Sequence, residues 1–487
     1  MLVPDLPTFL AAAAADRRMP VYREILADIE TPVSAWWKLA QGETYGFLLE
    51  SVTGGENVGR YSILGVRPRA VLRAKNREAT REEAGVLKRI DIPEGGDPLT
   101  LLEEVTETES VRVPGLPAFC GGAVGMLAYD MIRYFERLPD STKDDLNLPD
   151  LAMMLVDTFV VFDHAKNLAR IVHLAEGSSE GYERAEREIE RVADLLAQPL
   201  PPLPHGSYAS KEVTANRTPA DFMAAVSRVK EYIAQGDGVQ MVPSQRFETE
   251  VEAHPLTIYR ALRSINPSPY MFLLRFGDFD IVGASPEILV SLHGDRARVR
   301  PIAGTRWRGQ TEEEDVRLGE ELVKDEKEIA EHVMLVDLGR NDLGRVCDYG
   351  TVQVNDLMVI ERYSHVMHIV SDVTGRLHAD SDALDLLRAT FPAGTVSGAP
   401  KIRAMQIIDE NEPTRRGLYA GAVGFLSAQG DLDMCIALRT ILLKDGKGYV
   451  QAGGGVVYDS DPEYEYQESR NKAKAALSAL ARAEAGL

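Results

Sequence analysis

Thr218-Pro219-Ala220-Asp221-Phe222, followed through to Arg246-Phe247-Glu248-Thr249-Glu250, sets the fold class of this chain. Thr218 with Asp221 three residues on, and Pro219 in the first turn, reads as a capped helix start. Phe222, Val226, Val229 and Ile233 recur at helical spacing on one face, and Gly236 ends the run. A strand-like segment follows over residues 239–250. Working outward, strands and helices keep mixing. Residues 45–49 and 155–162 read as β-runs among Gly-rich turns, and 181–197 as a polar helix with Glu and Arg at i,i+4. Residues 312–338 read as one long helix opened by Thr311-x-x-Glu314, its acidic first turn matching the helix dipole. No regular βα alternation appears. The expectation is α+β, with large mixed or antiparallel sheets flanked by helices.

The chain has 487 residues, of which 45% are hydrophobic and 26% charged, a globular composition sufficient for two to four domains. A proline-rich stretch without periodicity, residues 198–218, divides an N-terminal part (1–205) from a C-terminal part (212–487). Lys and Arg number 54 against 75 Asp and Glu, a formal net charge of −21. That sign repels phosphate backbones and anionic lipid, so nucleic-acid and membrane-surface roles are excluded. An anionic substrate would need local Arg groups or a bound cation. The three cysteines, Cys120, Cys347 and Cys435, form no CxxC and no Cys/His cluster, which argues against a disulfide framework or a thiolate zinc site. Apolar runs such as 9–15 are too short to span a bilayer, and no basic segment precedes an apolar core at the amino terminus. A cytoplasmic location is expected.

Glu328 and Glu331 lie three apart, hence on one helix face, with His332 beside them. A lone pair of this kind is usually a solvated acidic face. A second pair, Glu465 and Glu468, sits in Glu463-Tyr464-Glu465-Tyr466-Gln467-Glu468-Ser469-Arg470-Asn471-Lys472. Two carboxylate pairs suit Mg²⁺, which takes oxygen ligands and keeps some water. Gly453-Gly454-Gly455 reads either as a tight turn or as backbone N–H groups held close to an anion, and the residues alone leave both open. The segment from Phe391-Pro392 to Pro400-Lys401 is a loop feeding a helix, without Walker spacing. Arg439, in an apolar strand over 434–443, implies an ion pair or, facing a cleft, a fork for a carboxylate. His365 and His368, taken singly, read as core histidines.

Together these segments resemble the anthranilate synthase component I family of chorismate-utilising enzymes. The strings that carry the resemblance begin with Leu48-Leu49-Glu50-Ser51, Asn266-Pro267-Ser268-Pro269-Tyr270-Met271 and Ala284-Ser285-Pro286-Glu287. They continue with Arg300-Pro301-Ile302-Ala303-Gly304-Thr305-Arg306, Asp337-Leu338-Gly339-Arg340-Asn341-Asp342, the 391–401 loop and residues 453–472. They occur in family order from near residue 48 to near 474.

The resemblance implies a chorismate-utilising fold with an N-terminal regulatory domain, converting chorismate and ammonia to anthranilate and pyruvate. It implies Mg²⁺ on Glu331 and Glu468, supported by Glu328 and Glu465. Gly304, Thr305, Thr395 and Gly453–Gly455 would contact the ring side, and Tyr419 and Arg439 the enolpyruvyl carboxylate. Glu287 would be the general acid for the departing hydroxyl, which requires a raised pKa. His368 would serve pyruvate elimination. The sister enzyme making aminodeoxychorismate carries a nucleophilic Lys where this chain has Ala303, and isochorismate and salicylate synthases carry a Lys base where it has Gln240. Both differences argue for ammonia and the anthranilate branch over the aminodeoxychorismate reading. Ser51, Pro269, Tyr270 and Met271 match the family's tryptophan pocket for feedback inhibition. No cysteine has the context of a glutaminase nucleophile, so a separate glutamine amidotransferase subunit, and thus a hetero-oligomer, is implied. A non-catalytic tryptophan-binding subunit is the alternative from another class. Against it, each catalytic position holds a competent residue.

Overall fold

The capped helix forms over Pro219–Ala234. The Thr218 side chain accepts from the Asp221 backbone N–H while the Asp221 side chain reaches back to the cap. Phe222, Val226 and Val229 are buried, and Gly236 turns the chain at φ +88°. This is a computed structural model, describing the chain except for residues 14–16, 53–58, 108–109, 210 and 364–365. His365 therefore lies outside the described residues. The strand expected over 239–250 is broken in two. Gln240–Met241 pairs with Gly398–Ala399, and Ser244–Glu250 joins a large sheet. Between them Pro243 has no N–H to give a ladder.

The described strands build two large antiparallel sheets. The first runs from Leu2–Val3 through Arg18–Leu26, Leu168–Glu176, Thr158–Asp163 and Tyr61–Val66 to Tyr45–Glu50. It continues through Tyr270–Phe276, Phe279–Ser285, Thr440–Lys444, Lys447–Gly453 and Ser244–Glu250 to Thr214–Ala215. The second runs from Ile302–Trp307 through Val366–Arg376, Arg296–Val299, Ile288–His293, Leu432–Ile436 and Ala422–Ser427. It then continues into Gly122–Leu127, Leu151–Val156, Ala70–Lys75, Glu78–Glu83 and Val86–Asp91. Both sheets are therefore continuous across the proline-rich stretch. Tyr45–Glu50 pairs with Tyr270–Phe276 in one, and Gly122–Leu127 with Ala422–Ser427 in the other.

Period-two alternation explains the layers. Along Tyr270–Phe276, Phe272, Leu274 and Phe276 face the core between the sheets, while Met271 and Leu273 face the helical layer outside. Between the sheets Phe119 stands 4.9 Å from Phe159 and 5.1 Å from Phe425, ring to ring. Helices Ser179–Ala197, Pro255–Ile265 and Pro462–Ala485 cover the first sheet, and Glu326–Gly344 and Ala383–Thr390 the second. The result is a helix–sheet–sheet–helix stack, α+β as the sequence indicates.

Three further expected elements are divided. Residues 155–162 belong to two strands in different sheets, parted at Asp157. The long helix over 312–338 is instead Glu312–Leu322 and Glu326–Gly344. Asp325 causes the break by capping the second helix, its carboxylate accepting from the backbone N–H of Lys327 and Glu328. At the start of the first, Thr311 accepts from Glu314, but the Glu314 carboxylate reaches Gln310 N–H, so the box closes one residue early. Arg439 is not in a strand. It lies between Leu432–Ile436 of one sheet and Thr440–Lys444 of the other, at φ +49°.

Candidate active site

The two carboxylate pairs sit on separate helices, and the glycine run joins them. On Glu326–Gly344, His332 is buried with its ring nitrogen 2.6 Å from the Ser371 hydroxyl, which locks the helix against Val366–Arg376. Glu328, one turn before it, has its carboxyl raised by burial and then by Glu331, against the pull of Arg306. Glu331 accepts from the Gln240 amide at 3.0 Å. On Pro462–Ala485, Glu465 is buried. One of its oxygens accepts from Ser460 at 2.8 Å and the other has no partner among the described residues. Burial raises its carboxyl. Glu468 pairs with Lys472 at 2.7 Å, and Lys472 also donates to the Gly453 carbonyl at 3.2 Å. Desolvation pulls Lys472 down, but Glu468, Tyr419 and Glu331 together hold the ammonium above its ordinary pKa.

Gly454 and Gly455 show how close the pairs come. A Cβ on Gly454 would stand 2.7 Å from Glu465 Oε2 and 3.6 Å from Glu468 Oε1. A Cβ on Gly455 would stand 2.3 Å from Gln240 Nε2 and 3.6 Å from Glu331 Oε1. Consecutive glycines are thus flanked by carboxylates from both helices, and no side chain fits between them. Among the described residues no three His, Cys, Asp or Glu side chains close into a metal cage. An all-oxygen donor set with an orphaned carboxylate oxygen nevertheless fits a hard cation that takes one or two carboxylates and completes its shell with water and substrate.

Glu287 lies deeper. It is 7% exposed, and burial pushes its carboxyl up to about 8, opposed by nearby Thr395, Arg439 and Lys472. The buried Thr395 hydroxyl faces Glu287, whose carboxyl it holds down by hydrogen bonding. Desolvation lowers the Arg439 guanidinium, with Glu287 opposing. Arg439 forms no ion pair with any described residue, so its fork is available to a ligand carboxylate. Tyr419 is buried over Arg416, 5.3 Å from guanidinium to ring, and senses Lys472 and the Gly453 backbone. His368 stands on Val366–Arg376 opposite a register shift at Ala303–Thr305. There Gly304 takes φ +61°, and its carbonyl accepts from His368 Nδ1 at 2.9 Å. Thr305 Oγ1 lies 3.2 Å from the same nitrogen. Burial lowers the imidazole, which favours its neutral form.

The residues matched to a tryptophan pocket meet at one end of the first sheet. Ser51 follows Tyr45–Glu50, its hydroxyl buried without a partner, and the next residue, Val52, donates to Ser268 at 3.3 Å, beside Pro269. Pairing of Glu50 with Met271 sets the register. Tyr270 and Met271 alternate, however. Tyr270 points between the sheets to Asp433 at 3.1 Å, and Met271 points into the helical layer. Sequence reasoning missed three partners. Glu50 is a buried carboxylate held by Tyr259, by Arg263 at 3.1 Å and by Ser62. Lys472 was signalled by its i+4 spacing from Glu468. Arg306, 3.4 Å from Glu328 and 2.9 Å from Asp325, carried no signal.

The family model for chorismate binding enzymes matches residues 45–478. Anthranilate synthase component 1 of Mycobacterium tuberculosis is 48% identical over 98% of this chain and 95% of its own length. The Pseudomonas aeruginosa protein of the same name is 48% identical over 97% of each. The chain belongs to the anthranilate synthase component 1 family of chorismate-binding enzymes. A crystal structure of anthranilate synthase component I from Streptococcus pneumoniae superposes with a TM-score of 0.79 at 40% identity, covering 93% of this chain and 98% of that one. The menaquinone-specific isochorismate synthase of Escherichia coli shares the fold at 20% identity, with a TM-score of 0.70. Membership makes the chain a chorismate-utilising enzyme, and the cleft around Glu287, Glu331 and Glu468 is the candidate place for that family chemistry.

Proposed function

We propose that the chain converts chorismate and ammonia to anthranilate and pyruvate, in the cytoplasm, as the synthase subunit of a hetero-oligomer. The observation that carries this reading is the approach of Glu331 and Glu468 to the same glycine pair, beside a buried, protonatable Glu287. Glu331 and Glu468 would hold Mg²⁺, with Glu328 and Glu465 behind them. When bound, the metal supplies Lewis acidity at the ring carboxylate of a substrate that the net charge of −21 would otherwise repel. Arg439 and Tyr419 hold the enolpyruvyl carboxylate; Gly304, Thr305, Thr395 and Gly453–Gly455 shape the wall around the ring. As nitrogen bonds to C2, both ring double bonds shift by one position, C1=C2 to C1=C6 and C5=C6 to C4=C5, and the C4–O bond breaks. Glu287 gives its proton to the departing oxygen, which leaves as water. Neutral His368, fixed through Nδ1, then takes the C2 proton at Nε2 as the C3–O bond breaks. The enolpyruvyl methylene gains a proton, and pyruvate leaves an aromatic ring. Gln240 cannot deprotonate water and Ala303 cannot form an adduct, which favours ammonia as the nucleophile.

Burial pushes the thiols of Cys120 and Cys347 up to about 12 and about 11 and raises that of Cys435 as well. None suits glutamine hydrolysis, which supports a separate amidotransferase subunit as the ammonia source. Residues 1–205 would regulate and 212–487 catalyse, with tryptophan bound at Ser51 and Pro269–Met271 as inhibitor. The deciding experiment is anthranilate fluorescence from chorismate, Mg²⁺ and ammonium with the chain alone at alkaline pH. Silence from folded protein would overturn the reading. A product that stays non-aromatic would instead favour the aminodeoxychorismate branch.

A further inference from the structure

We propose that Arg416 is a positioning residue whose guanidinium ties the general-acid wall of the cleft to the metal wall. This rests on the reading of Glu287 as the acid and Glu331 as a metal ligand. Gln240, which donates to Glu331, lies on a ladder only two residues long, Gln240–Met241 against Gly398–Ala399. The second strand of that ladder continues the segment carrying Thr395, which bonds the Glu287 carboxyl. A pairing this short is marginal by itself. Its end is closed by the Val242 N–H donating to the Ser397 carbonyl at 3.1 Å, and then by Arg416. Arg416 Nη1 donates to the Val396 carbonyl at 2.7 Å and Nη2 to the Val242 carbonyl at 2.5 Å. One planar group thus bridges both segments, next to Thr395 on one and two residues from Gln240 on the other.

The remaining bonds fix the guanidinium itself. Glu412 accepts from Nε at 3.0 Å and from Nη2 at 2.8 Å, and both side chains are buried. Glu412 Oε1 also accepts from the Ser244 backbone N–H at 2.8 Å and the Ser244 hydroxyl at 2.7 Å. Ser244 is the register partner of Gly453, so the pair reaches the glycine run as well. The guanidinium packs on the Tyr129 ring at 4.8 Å and on the Tyr419 ring at 5.3 Å. A purely structural reading would have Arg416 and Glu412 only neutralise each other in the core. Buried ion pairs are weak sources of net stability, and that reading does not account for where the other bonds end. They end beside the residues that touch the acid and the metal ligand.

Arg416→Lys keeps the charge, but one ammonium lacks the fork for both carbonyls and the flat face for Tyr419. Arg416→Gln with Glu412→Gln removes the pair without leaving a lone charge, and the new amide oxygen can still accept from Ser244. Both variants should lose kcat at least tenfold at saturating chorismate, Mg²⁺ and ammonium. Two further readouts separate positioning from general loosening. With Thr395 no longer holding the Glu287 carboxyl down, the alkaline limb of kcat/KM per free ammonia should move above its wild-type position. Arg439 and Lys472, which also face Glu287, are unchanged in both variants. With Gln240 no longer orienting Glu331, Mg²⁺ affinity measured by calorimetry should fall several-fold. Wild-type kcat in a folded variant, a slowed variant in which limb or affinity stays put, or failure of both variants to fold would each overturn the proposal. Thr395→Val and Gln240→Leu test the underlying reading, the first expected to move the limb alone and the second the Mg²⁺ affinity alone. A control that does not respond removes Glu287 or Glu331, respectively, from its role. Controls that respond beside Arg416 variants that do not defeat Arg416 alone.

Discussion

At the scale of single residues, the cleft is a set of carboxylates whose environments differ. Glu331 and Glu468 approach one glycine pair from two helices, so either one lost should leave the substrate carboxylate uncompensated. Glu331→Gln and Glu468→Gln are each expected to lower anthranilate formation at least a hundredfold while circular dichroism and melting stay near wild type. Near-normal turnover at limiting Mg²⁺ would remove the residue from the metal set. Glu287 differs because it is raised, from 4.5 to about 8. Such a group favours the folded state fully below its unfolded pKa and loses that contribution as pH rises through the folded value. Wild-type stability should therefore fall between about pH 4.5 and 8, by an amount on the order of several kcal/mol. Glu287→Gln cannot ionise, so it should be inactive, yet its melting temperature should gain on wild type from pH 5 to pH 9. Parallel curves would show that Glu287 is not raised. For the same reason, kcat/KM expressed per free ammonia should decline above about pH 8.

At the scale of elements, the break between Glu312–Leu322 and Glu326–Gly344 determines where the first carboxylate pair points. A continuous helix would carry Glu328 and Glu331 along another axis. Asp325 holds the break with two backbone hydrogen bonds and is itself held by Arg306 at 2.9 Å. Asp325→Ala should cost about 1 kcal/mol, as lost N-caps do. It should also raise the Mg²⁺ concentration needed for half-maximal activity several-fold; calorimetric melting and a Mg²⁺ titration check the two effects. An unchanged Mg²⁺ requirement would show that the cap stabilises without positioning. The bulge at Gly304 has a similar local task. Its positive φ presents the carbonyl that fixes the His368 tautomer, a conformation that disfavours any side chain there.

At the scale of the whole molecule, both sheets run through both parts of the chain, so neither part closes its own edges. Expressed separately, 1–205 and 212–487 should each be insoluble or aggregated, and co-expression should recover a complex on size exclusion. Two monomeric, folded halves would contradict this. The shared sheet also brings Ser51 to Pro269, which gives tryptophan bound there contact with both halves. On the proposed reading tryptophan would inhibit only by favouring a state with poorer chorismate affinity, and the coupling would be reciprocal. Ser51→Phe should keep ammonia-dependent activity and lose tryptophan inhibition. Chorismate should weaken tryptophan binding to the unmodified protein, measured by calorimetry. Wild-type tryptophan sensitivity in folded Ser51→Phe would take Ser51 out of the pocket.

Periodicity, capping and glycine placement are local, and they made the helix at Pro219–Ala234, the Glu328/Glu331 and Glu465/Glu468 spacings and the α+β class legible from the sequence. The ordered motifs made the family legible as well. Other features depend on atoms far apart along the chain. Nothing in residues 155–162 tells that Asp157 passes the chain from one sheet to the other, because both strands are apolar. Arg439 sits in an apolar run for the same reason, and only the sheet crossing places it at a turn instead of in a strand. The meeting of two carboxylate pairs at Gly454–Gly455 and the burial that raises Glu287 arise from helices and sheets converging. Burial and proximity are properties of packing, and packing is decided by the whole chain at once.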